Sequence, residues 1–221
     1  MFTLTEKKLL VPNVYELTYS TKEIFDAGAG QFVTFIVPAG GRSYSLLDWN
    51  DSSITLCIER ISPERGGRGG SIQMCDAQLG DTFRGIGPAG HFMTTARENG
   101  KMFLGTGTGL VPLYAMIRDL LEHDFSFPLC LIYGHRTKED WYYIDRLKIL
   151  TEKYPNFQLQ LFLSREDAPD CQRGYIQDGI TPDLVEIYTE YYICGPKMVD
   201  DTEKKLLNTG VRKENIFTEK Y

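Results

Sequence analysis

The residues best suited to chemistry in this chain are a glycine loop and two arginine-bearing turns. Residues 105–112, Gly-Thr-Gly-Thr-Gly-Leu-Val-Pro, join the apolar run Lys101-Met-Phe-Leu104 to a segment in which Leu113, Met116, Ile117, Leu120 and Leu121 recur at helical spacing. Glycine lets a backbone approach an anion closely, and the N–H groups and positive dipole end of a helix start favour negative charge there. Thr106, Gly107, Thr108 and Gly109 are therefore candidates for a phosphate cradle. Pro112 suits the first helical turn, where a missing N–H costs no hydrogen bond. The spacing is not GxGxxG, so an ordinary strand-to-helix turn stands as the alternative.

Arg42-Ser-Tyr-Ser45 follows a Gly-Gly turn. It offers a guanidinium fork for a phosphate, an aromatic plane for a ring system and a hydroxyl that donates or accepts. An alternating polar and aromatic strand is the plainer reading. Arg65-Gly-Gly-Arg-Gly-Gly-Ser71 precedes Ile72–Leu79, a segment able to form a short helix capped by Ser71, which would make a second anion site; a flexible hairpin loop is the alternative.

Residues 1–97 read as short alternating segments: Leu4–Leu10, Val14–Tyr19, Gln31–Pro38, Ile54–Ile61 and Thr82–Ile86, separated by turn formers. This pattern predicts an antiparallel sheet closed as a small barrel. Residues 98–221 change rhythm. Apolar runs at Met102–Leu104, Leu129–Tyr133, Phe157–Leu163 and Tyr191–Cys194 alternate with segments mostly of helix length, among them Glu139–Lys153 with Trp141-Tyr-Tyr143 as core and rim. Such runs predict a parallel sheet covered on both faces, whose ligands bind at the C-terminal strand ends. The Gly105 loop, Ser164-Arg165 and Gly195-Pro196 all fall at such ends. The polar stretch Thr94–Gly100 marks the boundary between the two domains.

Composition narrows the function. The 221 residues carry 24 basic and 30 acidic side chains, a net charge of -6, which argues against a general nucleic-acid binder. Cys57, Cys75, Cys130, Cys171 and Cys194 are odd in number and form no CxxC pair, so reduced thiols in a cytosol are the simplest reading. His91, His123 and His135 lie in different predicted elements, with no metal-ligand spacing. No signal-like leader and no apolar run of about 18 residues is present, so a soluble, cytoplasmic protein without membrane insertion is expected.

Taken in order, Arg42-Ser-Tyr-Ser45, Leu56–Ile61, Gly70-Ser71, Gly87–Gly90, the Gly105–Pro112 loop, Ser164–Glu166, Tyr175–Gln177, Cys194–Pro196 and Glu219-Lys-Tyr221 resemble the ferredoxin–NADP reductase family of two-domain flavoproteins. The resemblance covers nearly the whole chain. It implies FAD on the barrel, with Arg42 at the pyrophosphate, Tyr44 against the flavin and Ser45 near flavin N5. Cys57, Ile58 and Glu59 would line the cofactor, and Gly70 and Ser71 would meet the pyrophosphate. The run Gly66-Gly-Arg-Gly-Gly70 departs from the family's usual single glycine and leaves the contacting backbone groups open.

On the nicotinamide side the resemblance implies Thr106, Gly107, Thr108, Gly109 and Pro112 at the phosphates, and Cys194, Gly195 and Pro196 beside the nicotinamide. By itself, a cysteine ending an apolar strand reads as core. Ser164, Arg165 and Arg173, with Tyr175 to stack on adenine and Gln177 nearby, look like the arrangement for NADP(H); Glu166 and Asp167 keep NAD(H) as the alternative. Tyr221 would cover the flavin as a displaceable lid, and Glu219 would assist proton handling, where a frayed end and a surface glutamate are the plainer readings. The implied activity is hydride transfer between NADP(H) and FAD and single-electron exchange with a carrier such as ferredoxin or flavodoxin. A net charge of -6 suits an acidic ferredoxin only if Lys7, Lys8, Arg60, Arg65 and Arg68 form a basic rim. The alternatives are an NADH-dependent oxygenase reductase, a flavin or ferric reductase, and a non-catalytic electron-transfer or regulatory subunit.

Overall fold

The computed structural model describes residues 1–220, which form two compact units: Met1–Thr94 with Tyr114–Met116, and Thr95–Leu113 with the chain from Ile117 onward. In the first, β1 (Phe2–Val11), β2 (Val14–Thr21), β3 (Phe32–Val37), β4 (Gly40–Asn50), β5 (Ser53–Glu59) and β6 (Thr82–Ala89) close a barrel in the order β1-β2-β5-β4-β3-β6. Period-two alternation places Leu4, Leu17, Tyr19, Val33, Phe35, Leu46, Ile54, Leu56 and Ile58 inside it. The helix α1 (Gly70–Asp76) adds Met74 and Cys75 to that core. The antiparallel barrel expected from the alternation is what forms.

In the second unit, β7 (Lys101–Thr106), α2 (Leu110–Glu122), β8 (Leu129–His135), α3 (Ile144–Lys153), β9 (Phe157–Leu163), β10 (Gln172–Arg173), α4 (Pro182–Ile187), β11 (Glu190–Cys194), α5 (Val199–Asn208) and β12 (Ile216–Glu219) follow in order. The strands form one parallel sheet ordered β10-β9-β8-β7-β11-β12. β7, β8 and β11 are almost wholly buried, which explains their continuous apolar sequence.

Two local expectations differ from the structure. The helix expected over Glu139–Lys153 is broken. Lys138–Asp140 form a 3-10 turn closed by a capping box, and Tyr143 takes a left-handed φ of 62° before α3 starts at Ile144. The aromatic run holds that break: Tyr142 and Tyr143 are buried in edge contact with each other, and the Arg146 guanidinium lies 4.5 Å from the Tyr143 ring centre. Ser71 is not the cap of α1. Gly69 occupies that position at φ 84°, no side chain caps the helix, and the Ser71 hydroxyl instead accepts the N–H of Ile61 at 3.0 Å.

Candidate functional site

The barrel unit builds its site where two strands part. β4 pairs with β3 along Gly40–Ser45 but with β5 only over Leu46–Asn50, while Cys57–Glu59 of β5 pair with β2 on the far side. Arg42–Ser45 and Cys57–Glu59 therefore flank a place where the β4–β5 ladder stops, and α1 lies beside both strands there, with the Cys75 thiol 3.8 Å from the Ile58 carbonyl. Alternation puts Arg42 and Tyr44 on the face of Phe35 and Val33, and Ser45 on the opposite face. Burial raises the Tyr44 phenol well above its usual pKa and Cys75 adds to the rise, while Arg42 and Arg68 pull the other way.

Arg42 reaches the start of α1. Its stem lies against Gly70, where a Cβ would come within 2.3 Å of the Arg42 Cγ, so only glycine leaves the arginine room. The guanidinium donates to the carbonyls of Gly41 at 2.7 Å and Arg68 at 3.1 Å. A full positive charge is thereby held beside a helix start, a donor set that fits a diphosphate. Of the residues that a basic rim would need, Arg60 pairs with Asp76 at 2.8 Å and Arg65 with Glu59 at 2.7 Å, while Lys7 donates to the Ala77 carbonyl and keeps its charge.

The second unit has a topological switch point. The chain steps outward from β7 through β8, β9 and β10, then returns to lay β11 on the other side of β7. A crevice forms outside the carboxyl ends of strands where the winding reverses. Here the parallel register sets Cys194 beside Gly105 on one side and beside Glu219 on the other. The close approach is steric as well: a Cβ on Gly109 would stand 2.1 Å from the Cys194 carbonyl oxygen, and one on Gly195 would stand 3.1 Å from Thr106 Oγ1. Thr106 and Gly195 are thus brought together at the C-terminal ends of β7 and β11, and Pro112 is buried in the first turn of α2. Cys194 is itself buried, and burial, with Glu219 adding, pushes its thiol well above the usual range.

A third group gathers beyond β8 and β9. The chain ends stay paired past the strands, Ser164 N–H donating to the His135 carbonyl and Arg165 N–H to that of Arg136, both at 3.0 Å. Arg173 on β10 is ion-paired to Asp167 at 3.6 Å, and Tyr175 stands 68% exposed. Glu166 accepts the Lys138 N–H, and Gln177 turns to Thr202 on α5 at 2.9 Å. Arg136 belongs to this rim although the spacing did not single it out; an arginine one residue past a buried strand was the available signal.

At the opposite end of the sheet lies a cluster that motif reading missed. Lys101 and Glu190, both 0% exposed, pair at 2.7 Å. Lys101 also donates to Arg97 O and Asn99 Oδ1, and Glu190 accepts from the Thr95 and Tyr192 hydroxyls. Burial alone would raise the Glu190 carboxyl, but the hydrogen bonds from Lys101, Thr95 and Tyr192 hold it below its usual value. Tyr221 lies outside the described residues. Among those described, no cluster of three or more His, Cys, Asp or Glu could hold a metal, and no helix is long and apolar enough to cross a membrane.

A closed antiparallel barrel followed by a parallel sheet with a switch point is the two-part architecture expected from the sequence. Residues 103–204 match the oxidoreductase NAD-binding domain family. The chain is 29% identical to ferredoxin–NADP reductase B of Sorangium cellulosum, over 96% of this chain and 93% of that protein. It is also 29% identical to the toluate 1,2-dioxygenase electron transfer component of Pseudomonas putida, over 87% of this chain and 58% of the relative. Among solved structures, the Amycolatopsis cytochrome P450 reductase GcoB aligns with a TM-score of 0.87 at 25% identity, over 99% of this chain and 68% of that one. The Plasmodium falciparum ferredoxin–NADP+ reductase shares the fold, with a TM-score of 0.80 at 22% identity over 100% of this chain and 95% of that one. The chain is thus similar along nearly its whole length to ferredoxin–NADP reductase-type flavoprotein reductases, and its residues 103–204 carry the NAD-binding domain of that kind of oxidoreductase. It spans about three-fifths of the length of several oxygenase-component relatives.

Proposed function

We propose that this protein is an FAD-dependent oxidoreductase that passes hydride between NADP(H) and flavin, and single electrons between flavin and a small carrier protein such as ferredoxin or flavodoxin. The observation that supports the reading is that Arg42 lies against the start of α1 in one unit, and the Gly105 loop packs against Cys194 and Gly195 in the other, each arrangement suited to an anion. When bound, FAD supplies the chemistry that joins a two-electron donor to one-electron carriers. The chain's residues bind and orient. Arg42, Gly70 and Ser71 would hold the diphosphate of FAD. Tyr44, Ser45, Cys57, Ile58 and Glu59 would bracket its ring system and ribityl chain. Thr106, Gly107, Thr108, Gly109 and Pro112 would form the cradle for the nicotinamide dinucleotide's phosphates, and Cys194, Gly195 and Pro196 would place its reactive ring. Glu219 would handle a proton, and Tyr221 would act as the displaceable lid. The domain assignment is 1–97 for FAD and 98–221 for the dinucleotide, and five free thiols suit a reducing, cytoplasmic setting.

NADP(H) is favoured over NAD(H). Ser164 and Arg165 follow β9 and are tied through the backbone to His135 and Arg136 at the neighbouring end of β8, and Glu166, a candidate acceptor for a ribose diol, is engaged by the Lys138 N–H. The ion pair between Arg173 and Asp167 favours the second reading, an NADH-dependent oxygenase reductase, because it neutralises one of the arginines. A third reading, a non-catalytic electron-transfer subunit, predicts slow reduction by either nucleotide. The test is anaerobic reduction of the purified protein. A yellow protein bleached faster by NADPH than by NADH is expected; faster bleaching by NADH would replace the first reading with the second, and a protein that cannot hold FAD would remove both.

A further inference from the structure

The Gly105 loop is held at both ends by packing, Gly105 against Leu113 and Gly109 against the Cys194 carbonyl. Its apex is held differently. Gly107 has a left-handed φ of 55°, and nothing lies within 4 Å of where its Cβ would be. Its carbonyl oxygen accepts the Leu110 N–H and, from below, the Tyr133 hydroxyl at 3.4 Å. Tyr133 is fully buried on β8, in register with Gly105 on β7. The same hydroxyl lies 2.5 Å from Nε2 of His135, two residues further along the strand and so on the same face. Edge contacts with Tyr133 at 4.9 Å and Tyr142 at 5.5 Å fix the imidazole plane.

A hydroxyl has one proton to give. If Tyr133 gives it to Gly107, the short contact with His135 requires the ring to donate in turn from Nε2–H. Each proton is then used once: His135 Nε2–H to Tyr133 Oη, and Tyr133 O–H to Gly107 O. We propose that Tyr133 and His135 form a two-residue relay that sets the orientation of the Gly107–Thr108 peptide, and so act as positioning residues for the diphosphate of the nicotinamide dinucleotide. The C=O and N–H of a planar trans peptide point in opposite directions. Drawing Gly107 O down toward β8 therefore also sets the direction of the Thr108 N–H. Burial keeps the imidazole neutral, with a single ring proton to place.

The inference rests on the reading of residues 105–112 as a dinucleotide phosphate loop. Its test uses ring-for-ring replacements that retain the packing: Tyr133→Phe, His135→Phe and the double variant, each loaded with FAD. NADP+ and NAD+, and the diphosphate-free fragments 2′-AMP and AMP, are titrated by difference spectroscopy. Each single variant is expected to bind the preferred dinucleotide about five-fold more weakly, the loss of one neutral hydrogen bond, while the fragments shift less than about two-fold. The double variant should be no weaker than Tyr133→Phe, because removing the hydroxyl already breaks the relay. In turnover the loss should fall on KM rather than kcat. Unchanged dinucleotide binding in both single variants, an equal loss for the fragments, or additive losses in the double would each overturn the relay. A parent protein that binds neither dinucleotide would overturn the proposed function itself, and the relay with it.

Discussion

Arg165 is the residue whose replacement separates the two nucleotide readings. Its backbone is tied to Arg136 at the end of β9, so its side chain projects from a fixed point. A guanidinium on a phosphate is worth roughly 1.5–3 kcal/mol. Arg165→Ala is expected to lower kcat/KM for NADPH by about 10- to 100-fold and for NADH by less than about three-fold, in parallel steady-state assays. His135 gives a second prediction at this scale. Burial lowers its pKa to about 4 from the usual 6.5, against a small opposing effect of Asp140. Between those values the unfolded chain takes up a proton that the folded protein refuses. The neutral imidazole's contribution is thus complete above pH 6.5 and is lost as pH falls toward 4, a change of at most on the order of 3 kcal/mol. Urea melts from pH 7 to pH 4 should show this slope, and His135→Phe should flatten it.

The β7 and β11 strands carry opposite duties at their two ends. Their carboxyl ends bring Gly105 beside Cys194, while their amino ends bury Lys101 against Glu190. Every strong polar group of that pair is met by a partner from Thr95, Arg97, Asn99 or Tyr192, which ties residues 95–99 to the sheet. Removing Glu190 strands the Lys101 charge, and removing Lys101 leaves Glu190 only the longer ion pair to Arg97 at 3.6 Å. Glu190→Gln or Lys101→Met should each destabilise the fold by about 3–5 kcal/mol in denaturant melts, and the double change Lys101→Met with Glu190→Leu should recover much of the loss. Because the Glu190 carboxyl is held below its usual value, the pair's contribution is present above the unfolded carboxylate range and disappears as pH falls below it. The aromatic row Phe103, Tyr192 and Phe217 crosses β7, β11 and β12 in register, its rings stacked 5.2 and 4.8 Å apart, and stiffens the same strands.

The charge of the whole molecule bears on its partner. With a net charge of -6, and with Arg60 and Arg65 each paired to a carboxylate, long-range attraction for an acidic carrier is weak. The rate of reduction of an acidic ferredoxin should rise as NaCl is raised from about 20 to 200 mM, because salt screens the repulsion. The rate with a small neutral acceptor should stay flat. A ferredoxin rate that instead falls with salt would show that Lys7, Lys8 and Arg68 suffice as a local basic patch.

The change of rhythm near residue 97 revealed a barrel followed by a parallel sheet, because strand period and the number of covered faces are written locally in residue order. The glycine loop and the Arg42 strand were legible for the same reason. The break at Tyr143 was not, since it depends on how Tyr142, Tyr143 and Arg146 pack. Nor was the cap of α1, where a left-handed Gly69 displaced the expected Ser71. Composition alone left cysteine chemistry and basic docking open, and burial of Cys194 and pairing of Arg60 and Arg65 narrowed both. By itself, then, the sequence determined the elements, their kinds and the residue types that could meet an anion. Only the tertiary structure decided which of them share a site. Strand order is a matter of long-range pairing: the return of β11 to the flank of β7 sets Cys194 between Gly105 and Glu219, and the pairing of β8 with β7 on the other side brings Tyr133 to the loop.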